Sequence, residues 1–184
     1  MSTFRSSVAI AVLGILSVSV HALLAADDER VTKEDLSGAE ANAEIQLQAD
    51  RGLWIRELKV KSDGKEPKFG LVFSKGGNET GRFSLGLNHK DLDREFAMAA
   101  QRGGVRFTQL KGYVLNGNVL FAFVTEIDGP PGSGIRHKIL RDIPAANFNQ
   151  IVERERAAGG KLVDESTYSP PKSGAFHTAV FHPR

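Results

Sequence analysis

The sequence repeats a pattern at an interval of roughly 50 residues, and this interval limits the folds open to the chain. Three glycines that each follow a helix-compatible stretch recur at nearly equal spacing: Gly52, Gly103 and Gly159. Three valines in the apolar strands that follow recur with almost the same two steps: Val72, Val124 and Val180. A unit of about 50 residues with one apolar helix face and one apolar hairpin face gains stability by packing against sister units. The spacing therefore predicts three copies between Leu36 and Phe181.

Each copy begins with a pattern typical of a helix. Apolar residues four positions apart define one helix face in each copy: Ala41 and Ile45, Leu92 and Phe96, Phe148 and Val152. Ser37 and Glu40 have the spacing of a capping box. Asp91, and Asp142 ahead of Pro144, are the expected starts of the other two helices.

After each glycine the apolar period changes to that of β-strands. Asp63-Gly64 and Asn116-Gly117 each divide two such strands and favour tight hairpin turns, and the looser segment 169–174 divides the third pair. Alternating stretches at 83–87 and 135–139 follow the first two hairpins and suggest an additional strand.

These patterns predict an α+β fold of three tandem repeats of about 50 residues, spanning about 36–87, 88–140 and 141–184. Each repeat is expected to be a helix followed by an antiparallel β-hairpin and an extended tail, all packed as one domain. The alternative is a common helix–hairpin pattern whose spacing recurs by coincidence.

The N-terminus reads as a secretory signal peptide over residues 1–26, followed by a single domain over 27–184. Arg5 precedes a stretch, Val8 to Ala26, that holds no charged residue. Cleavage is expected at Ala25 or Ala26, with Ala22 as another position, and the expected location is secreted or periplasmic. An uncleaved signal anchor is the alternative, because a stretch of this length can also span a bilayer.

The composition narrows the partners expected for residues 27–184. They carry 23 basic and 22 acidic residues, a formal charge of +1, which does not favour nucleic acid or an anionic membrane as partner. No other segment is apolar enough for membrane insertion once the signal is removed. The chain has no cysteine and hence no disulfide or thiolate nucleophile. No cofactor is predicted, and the expected partner is a protein or an extracellular polymer.

The second and third copies resemble a bacterial tandem repeat domain, a short repeat that is also similar to the non-catalytic region of polyglycine hydrolases. The resemblance rests on the helix pairs and glycines named above, on a strand that ends in tyrosine, and on Arg136-His137 after the second hairpin. The first copy departs from this pattern, because Lys61 or a neighbour replaces the tyrosine and 83–87 lacks an Arg-His pair. The resemblance implies a repeat scaffold that is often attached to other domains.

The sequence predicts neither a catalytic site nor a metal-binding site. His177 and His182 are five positions apart on an expected strand, so their side chains should point to opposite faces. His89 and His137 lie near repeat junctions without carboxylates at a recognised ligand spacing. If they converged with nearby acids, the protein could instead be a small secreted hydrolase with a His/carboxylate site at the repeat junctions.

The predicted binding residues are aromatic and basic: Trp54, Tyr113, Arg136, His137 and Tyr168. The three aromatic residues occur on the first strands of the hairpins and could form a recognition strip. Alternatively, they close the core between repeats. The sequence thus predicts a secreted, non-enzymatic repeat protein that acts as a binding module, with the small hydrolase as the alternative.

Overall fold

The structure is a computed structural model and describes residues 29–133 and 137–184. The predicted signal peptide and Arg136 lie outside the described residues. Within these two ranges, no helix combines the length and the apolar character needed to cross a membrane.

The described residues form three helices and nine strands. The helices are α1 (Gly38–Ala49), α2 (His89–Arg102) and α3 (Ala145–Ala157). The strands are β1 (Arg30–Leu36), β2 (Trp54–Lys61), β3 (Lys68–Ser74), β4 (Thr80–Leu87), β5 (Val105–Leu115), β6 (Asn118–Ile127), β7 (Lys138–Pro144), β8 (Gly160–Tyr168) and β9 (Phe176–Pro183).

The strands build three antiparallel sheets of three strands each, so the α+β prediction is confirmed. The strand orders are β1-β3-β2, β4-β6-β5 and β7-β9-β8. We call these sheets, with α1, α2 and α3 respectively, units 1, 2 and 3. In every unit a strand and a helix precede the hairpin, and the first strand pairs with the last.

The additional strands expected after the first two hairpins are present as β4 and β7, but their assignment as tails of those hairpins is wrong. β4, which contains the stretch 83–87, and β7, which contains residues 138 and 139 of the second stretch, pair with β6 and β9 of the next hairpin. β1 plays the same part in unit 1 and was not predicted. The physical reason is that the helix after each of these strands returns the chain to the same sheet, so the central strand is supplied by the hairpin that follows.

The predicted start of α1 is confirmed, that of α2 is close, and that of α3 is wrong. The Ser37 capping box is present, since Ser37 N donates to Glu40 Oε2 at 2.8 Å and Glu40 N donates to Ser37 Oγ at 3.3 Å. Asn88 caps α2 by accepting from Asp91 N at 2.9 Å, which places Asp91 in the first turn. Asp142 does not cap α3: it lies in a bulge of β7 with a φ of 55°, and α3 follows Pro144 without a side-chain cap.

Glycines end the helices as predicted. Gly52, Gly103 and Gly159 have φ values of 72°, 60° and 89°, a left-handed conformation that costs glycine little. Asn116 and Gly117 both have positive φ, as a two-residue hairpin turn requires.

An ion pair ties each helix to the first strand of its unit. The pairs join Lys33 to Glu44 at 3.0 Å, Arg82 to Glu95 at 2.8 Å, and Lys138 to Glu155 at 2.7 Å. Glu95 and Glu155 are buried, so their cationic partners offset the loss of hydration.

Neighbouring units share their cores. Tyr113, Ala122 and Val124 of unit 2 pack into the cluster that contains Phe69 and Phe73 of unit 1. In the same way, residues of unit 3 complete the cluster of unit 2; they are Tyr168 and Val180. We call these two contacts seam 1–2 and seam 2–3.

Candidate functional site

In seam 1–2, a polar side chain of unit 2 forms hydrogen bonds with backbone groups on the edge strand of unit 1. In seam 1–2, Gln109 Oε1 accepts from Leu58 N at 2.6 Å and Gln109 Nε2 donates to Arg56 O at 3.2 Å. Gln109 is buried and directly follows a bulge in β5, which turns its side chain toward β2.

Seam 2–3 has the same arrangement with a charged residue. Asp164 follows a bulge in β8, and its Oδ2 accepts from Leu110 N at 2.9 Å. Its other oxygen pairs with the Lys111 ammonium. Burial raises the pKa of Asp164, and the nearby Lys111 charge opposes this shift only in part. These contacts orient β2, β5 and β8 side by side.

The two predicted tyrosines lie in the seams. Tyr113 is 4% exposed, its ring meets Phe69 edge to face at 5.9 Å, and its hydroxyl oxygen accepts from Gly86 N at 2.9 Å. Tyr168 is 5% exposed and meets Phe121 in the same manner at 6.0 Å. Burial raises the pKa of both phenols. The alternative stated for these residues, closure of the core between units, describes their packing.

Tyr168 also depends on the absence of a side chain at Gly112. A Cβ atom built on Gly112 would lie 2.3 Å from Tyr168 Cδ1. The hydroxyl of Tyr168 donates to Asp142 in the bulge of β7, which fixes the ring from its other end. The glycine is therefore needed for the close approach of the ring to β5.

A groove of about 520 Å³ crosses the ends of all three hairpins. Each hairpin contributes a short segment to its walls, and parts of both tyrosines line it. The lining residues are Val60, Ser62, Asp63, Gly64, Gly112, Tyr113, Val114, Thr167, Tyr168, Ser169 and Pro171. Gly64 and Leu115 form a parallel bridge beside it, and Asn116 N donates to Gly64 O at 2.8 Å.

Trp54 does not join the two tyrosines. It is the first residue of β2, paired with Ser74, whereas Tyr113 lies near the end of β5. It lines a separate cavity of about 300 Å³, together with Ile45 and Phe83. The predicted strip of three aromatic side chains therefore does not form, because Trp54 stands at the opposite end of its strand from the groove.

His137 lies outside the groove as well. It is half-buried beside Phe107, with ring centroids 5.3 Å apart, and lines a cavity of about 300 Å³ with Glu155 and His182. Burial lowers the pKa of His137 and of His182, which favours the neutral imidazoles. His177 stacks on Phe148 at 4.1 Å, so it and His182 have separate surroundings, as predicted.

His89 has an acidic partner at the junction of units 2 and 3. Its Nε2 lies 3.1 Å from Asp142 Oδ1. The same carboxylate accepts from Tyr168 and pairs with Arg141, which also binds Asp93 at 2.7 Å. These hydrogen bonds and ion pairs hold units 2 and 3 together. Within the described ranges, no group of three His, Asp or Glu side chains is arranged to hold a metal ion.

The sequence reasoning missed three residues that organise these seams, Gln109, Gly112 and Asp164, and it assigned a fourth, Asp142, to a helix start. No local signal marks Gln109 or Asp164, because each has a polar neighbour in its strand, Thr108 in β5 and Glu165 in β8. Neither models of known protein families nor curated protein sequences give a match to this chain. Its function must therefore be argued from the geometry.

Proposed function

We propose that this protein is a non-enzymatic binding module whose hairpin ends hold an extended segment of a polymer or protein partner. One observation carries the proposal: the groove of about 520 Å³ receives residues from all three units. A site that crosses three successive hairpins suits a long, narrow ligand better than a compact one.

The walls of the groove offer several kinds of contact. Ser62, Thr167 and Ser169 supply hydroxyl groups, and the tyrosines supply apolar ring edges. Asp63 supplies a carboxylate whose pKa is lowered by hydrogen bonds from the backbone N–H groups of Lys65 and Glu66. Such a mixture of polar groups on an apolar floor is typical of binding sites.

We further propose that the three units are tandem repeats of the kind that the bacterial tandem repeat domain represents. The recurrence of the bulge, the acceptor side chain and the buried tyrosine in units 2 and 3 supports this relationship. Export to a secreted or periplasmic location belongs to the same proposal and rests on residues 1–26.

The contacts of His89 favour binding over hydrolysis. Its acidic partner, Asp142, is shared with Tyr168 and Arg141, and none of the lining residues of the groove is a histidine. A general base needs a substrate within hydrogen-bond reach, and the groove does not bring one to His89.

An NMR titration of ¹⁵N-labelled protein tests the proposal. The probes are chitohexaose, solubilised peptidoglycan fragments and extended proline-rich peptides. One of them should cause saturable shifts at 62–64, 112–114 and 167–169. Trp54 fluorescence should change little, because Trp54 lies away from the groove.

A pair of matched variants locates the binding. Thr167→Trp places a large side chain at the groove and should abolish the shifts, whereas Thr32→Trp, on an exposed position of β1, should preserve them. Shifts confined to the Trp54 or His137 cavities, or no saturable shift with any probe, would contradict the proposed site.

A further inference from the structure

Both seams have the same arrangement of side chains, and the outer faces of units 1 and 3 differ from it. In each seam, an apolar residue two positions after the bulge residue of the edge strand is buried, namely Leu58 in β2 and Leu110 in β5. The N–H of that same residue donates to a polar side chain of the following unit. Each seam therefore needs an apolar edge residue on one side and an acceptor on the other.

The outer face of unit 3 breaks this rule. The bulge of β8 lies between Leu162 and Asp164, which places Glu165 at the position of Leu58 and Leu110. Glu165 is exposed. A second copy docked here as unit 3 docks on unit 2 would bury this carboxylate, and burying an unpaired charge is strongly unfavourable.

Two more positions of unit 3 differ from those that receive Tyr168 on unit 2. Thr167 pairs with His177 as Gly112 pairs with Phe121. A tyrosine placed like Tyr168 would meet the Thr167 side chain, whereas in seam 2–3 it meets the bare backbone of Gly112. Seam 1–2 has Val60 at this position, paired with Phe69. His177 likewise replaces the phenylalanine that receives a tyrosine edge in each seam.

The outer face of unit 1 differs from the docking faces of units 2 and 3 in a complementary way. Lys61 stands at the end of β2, where Tyr113 and Tyr168 stand near the ends of β5 and β8. Glu34 covers Gly70: its Oε2 lies 2.6 Å from the place of a Cβ atom on that glycine.

The charges on this face are paired with each other. Lys59 lies 3.5 Å from the Glu34 carboxylate and 3.6 Å from that of Glu57. Lys61 lies 3.2 Å from Asp35. Docking of a second copy would strip water from these groups without supplying new partners.

We propose that the outer faces of units 1 and 3 are caps that prevent this chain from stacking end to end on a second copy, with Glu165 as the principal blocking residue. The inference rests on the proposal that the units are repeats, since only then would the seam geometry recur between chains. An array with two seam-like ends would form an open head-to-tail assembly. Charged and bulky residues at both ends remove that possibility.

Two complementary variants test the caps. Variant N, Glu34→Leu/Lys61→Tyr, gives unit 1 a docking face like that of unit 2, where Leu85 and Tyr113 pack against unit 1. Variant C, Glu165→Leu/Thr167→Gly, gives unit 3 a receiving face like that of unit 2. In sedimentation velocity, the wild type and each variant alone should be monomeric. An equimolar mixture of N and C should form a heterodimer of twice the monomer mass.

Controls separate docking from general adhesion. Glu153→Leu makes the same chemical change as Glu165→Leu on an exposed position of α3, and mixed with variant N it should leave both proteins monomeric. Circular dichroism checks folding, and Glu165→Leu alone replaces variant C if the double variant does not fold.

Three results would contradict the proposal that the outer faces of units 1 and 3 are caps. They are end-to-end association of the wild type, a mixture of folded N and C that stays monomeric, and dimerisation of C alone. The ligand titration is independent of these results, because the groove is assembled within one chain. Failure of the caps and failure of the binding function are therefore distinguishable.

Discussion

In seam 1–2 a backbone N–H group of the edge strand donates to an amide side chain, and in seam 2–3 the equivalent N–H group donates to a carboxylate. Gln109 accepts from Leu58 N at 2.6 Å, and Asp164 accepts from Leu110 N at 2.9 Å, each from the position after a bulge. Only the carboxylate brings a second charged group into the seam, the Lys111 ammonium, whose side chain is 14% exposed.

The difference shows that this geometry accepts either a neutral or a charged acceptor. A neutral amide loses little hydration energy on burial when both of its ends are bonded, as those of Gln109 are. A buried carboxylate loses much more and depends on its cation. We therefore expect seam 2–3 to be the more sensitive of the two to side-chain deletion and to pH.

Removing the carboxylate of seam 2–3 should have the largest effect. Asp164→Ala leaves the Lys111 charge without its carboxylate and the Leu110 N–H without its acceptor, and we expect it to lower the free energy of unfolding by about 3–5 kcal/mol. Urea denaturation measures the loss. The double variant Lys111→Met/Asp164→Asn keeps an acceptor without buried charge and should lose far less. An equal loss in both would show that the ion pair is not the source of the effect.

Removing the amide of seam 1–2 should have a smaller effect. Gln109→Ala leaves the Leu58 N–H and the Arg56 carbonyl without this partner but leaves no charge unpaired, and we expect a loss of about 1–3 kcal/mol. The same urea experiment gives the value, with exposed Gln101→Ala on α2 as a control near zero. A larger loss of stability at Gln109 than at Asp164 would show that seam 1–2, not seam 2–3, is the more sensitive to side-chain deletion.

The pH dependence gives the smallest effect and the sharpest distinction. Because burial raises the pKa of Asp164 above its usual 3.8, the folded protein binds the proton of this carboxyl group more tightly than the unfolded chain does. The part of the stability that depends on the proton of Asp164 is thus fully present below about pH 3.8 and is lost as the pH rises through the folded-state pKa. The stability of the wild type relative to Lys111→Met/Asp164→Asn should therefore decrease with rising pH. An increase would mean that Lys111 outweighs burial.

Local features of this fold could be predicted from the sequence because they depend on neighbouring residues. The Ser37 capping box needs only the spacing of two side chains, and Asn116-Gly117 needs only residues that accept positive φ. The hairpins follow from such turns between apolar runs.

The pairing of the first strands could not be predicted in the same way. The alternation at 83–87 indicates a strand but does not say which sheet it joins, and β1 is rich in charged residues that conceal its alternation. Asp142 shows the same limit, because an aspartate before Pro144 suits a helix start and a left-handed bulge equally well.

The candidate site depended still more on contacts between distant residues. Tyr113 and Tyr168 were correctly placed on the first strands of their hairpins, but their hydroxyl partners lie 27 and 26 residues away. Trp54 shares its strand type with them and yet lies at the other end, since position along a strand decides which cavity a side chain lines.

The order of strands within each sheet has a consequence for folding kinetics. Because the first strand, the helix and the hairpin of a unit are consecutive, the strand pairs of every sheet join segments that are near each other in the sequence. Chain closure over such short distances is fast, so the strand pairs within each sheet can form early in folding. A cut in the segment between β3 and β4 would leave each sheet with all of its strands on one fragment. Separated fragments 29–77 and 78–184 should therefore each form their own sheets without exchange of strands. The two fragments should then reassociate through Tyr113 and Gln109.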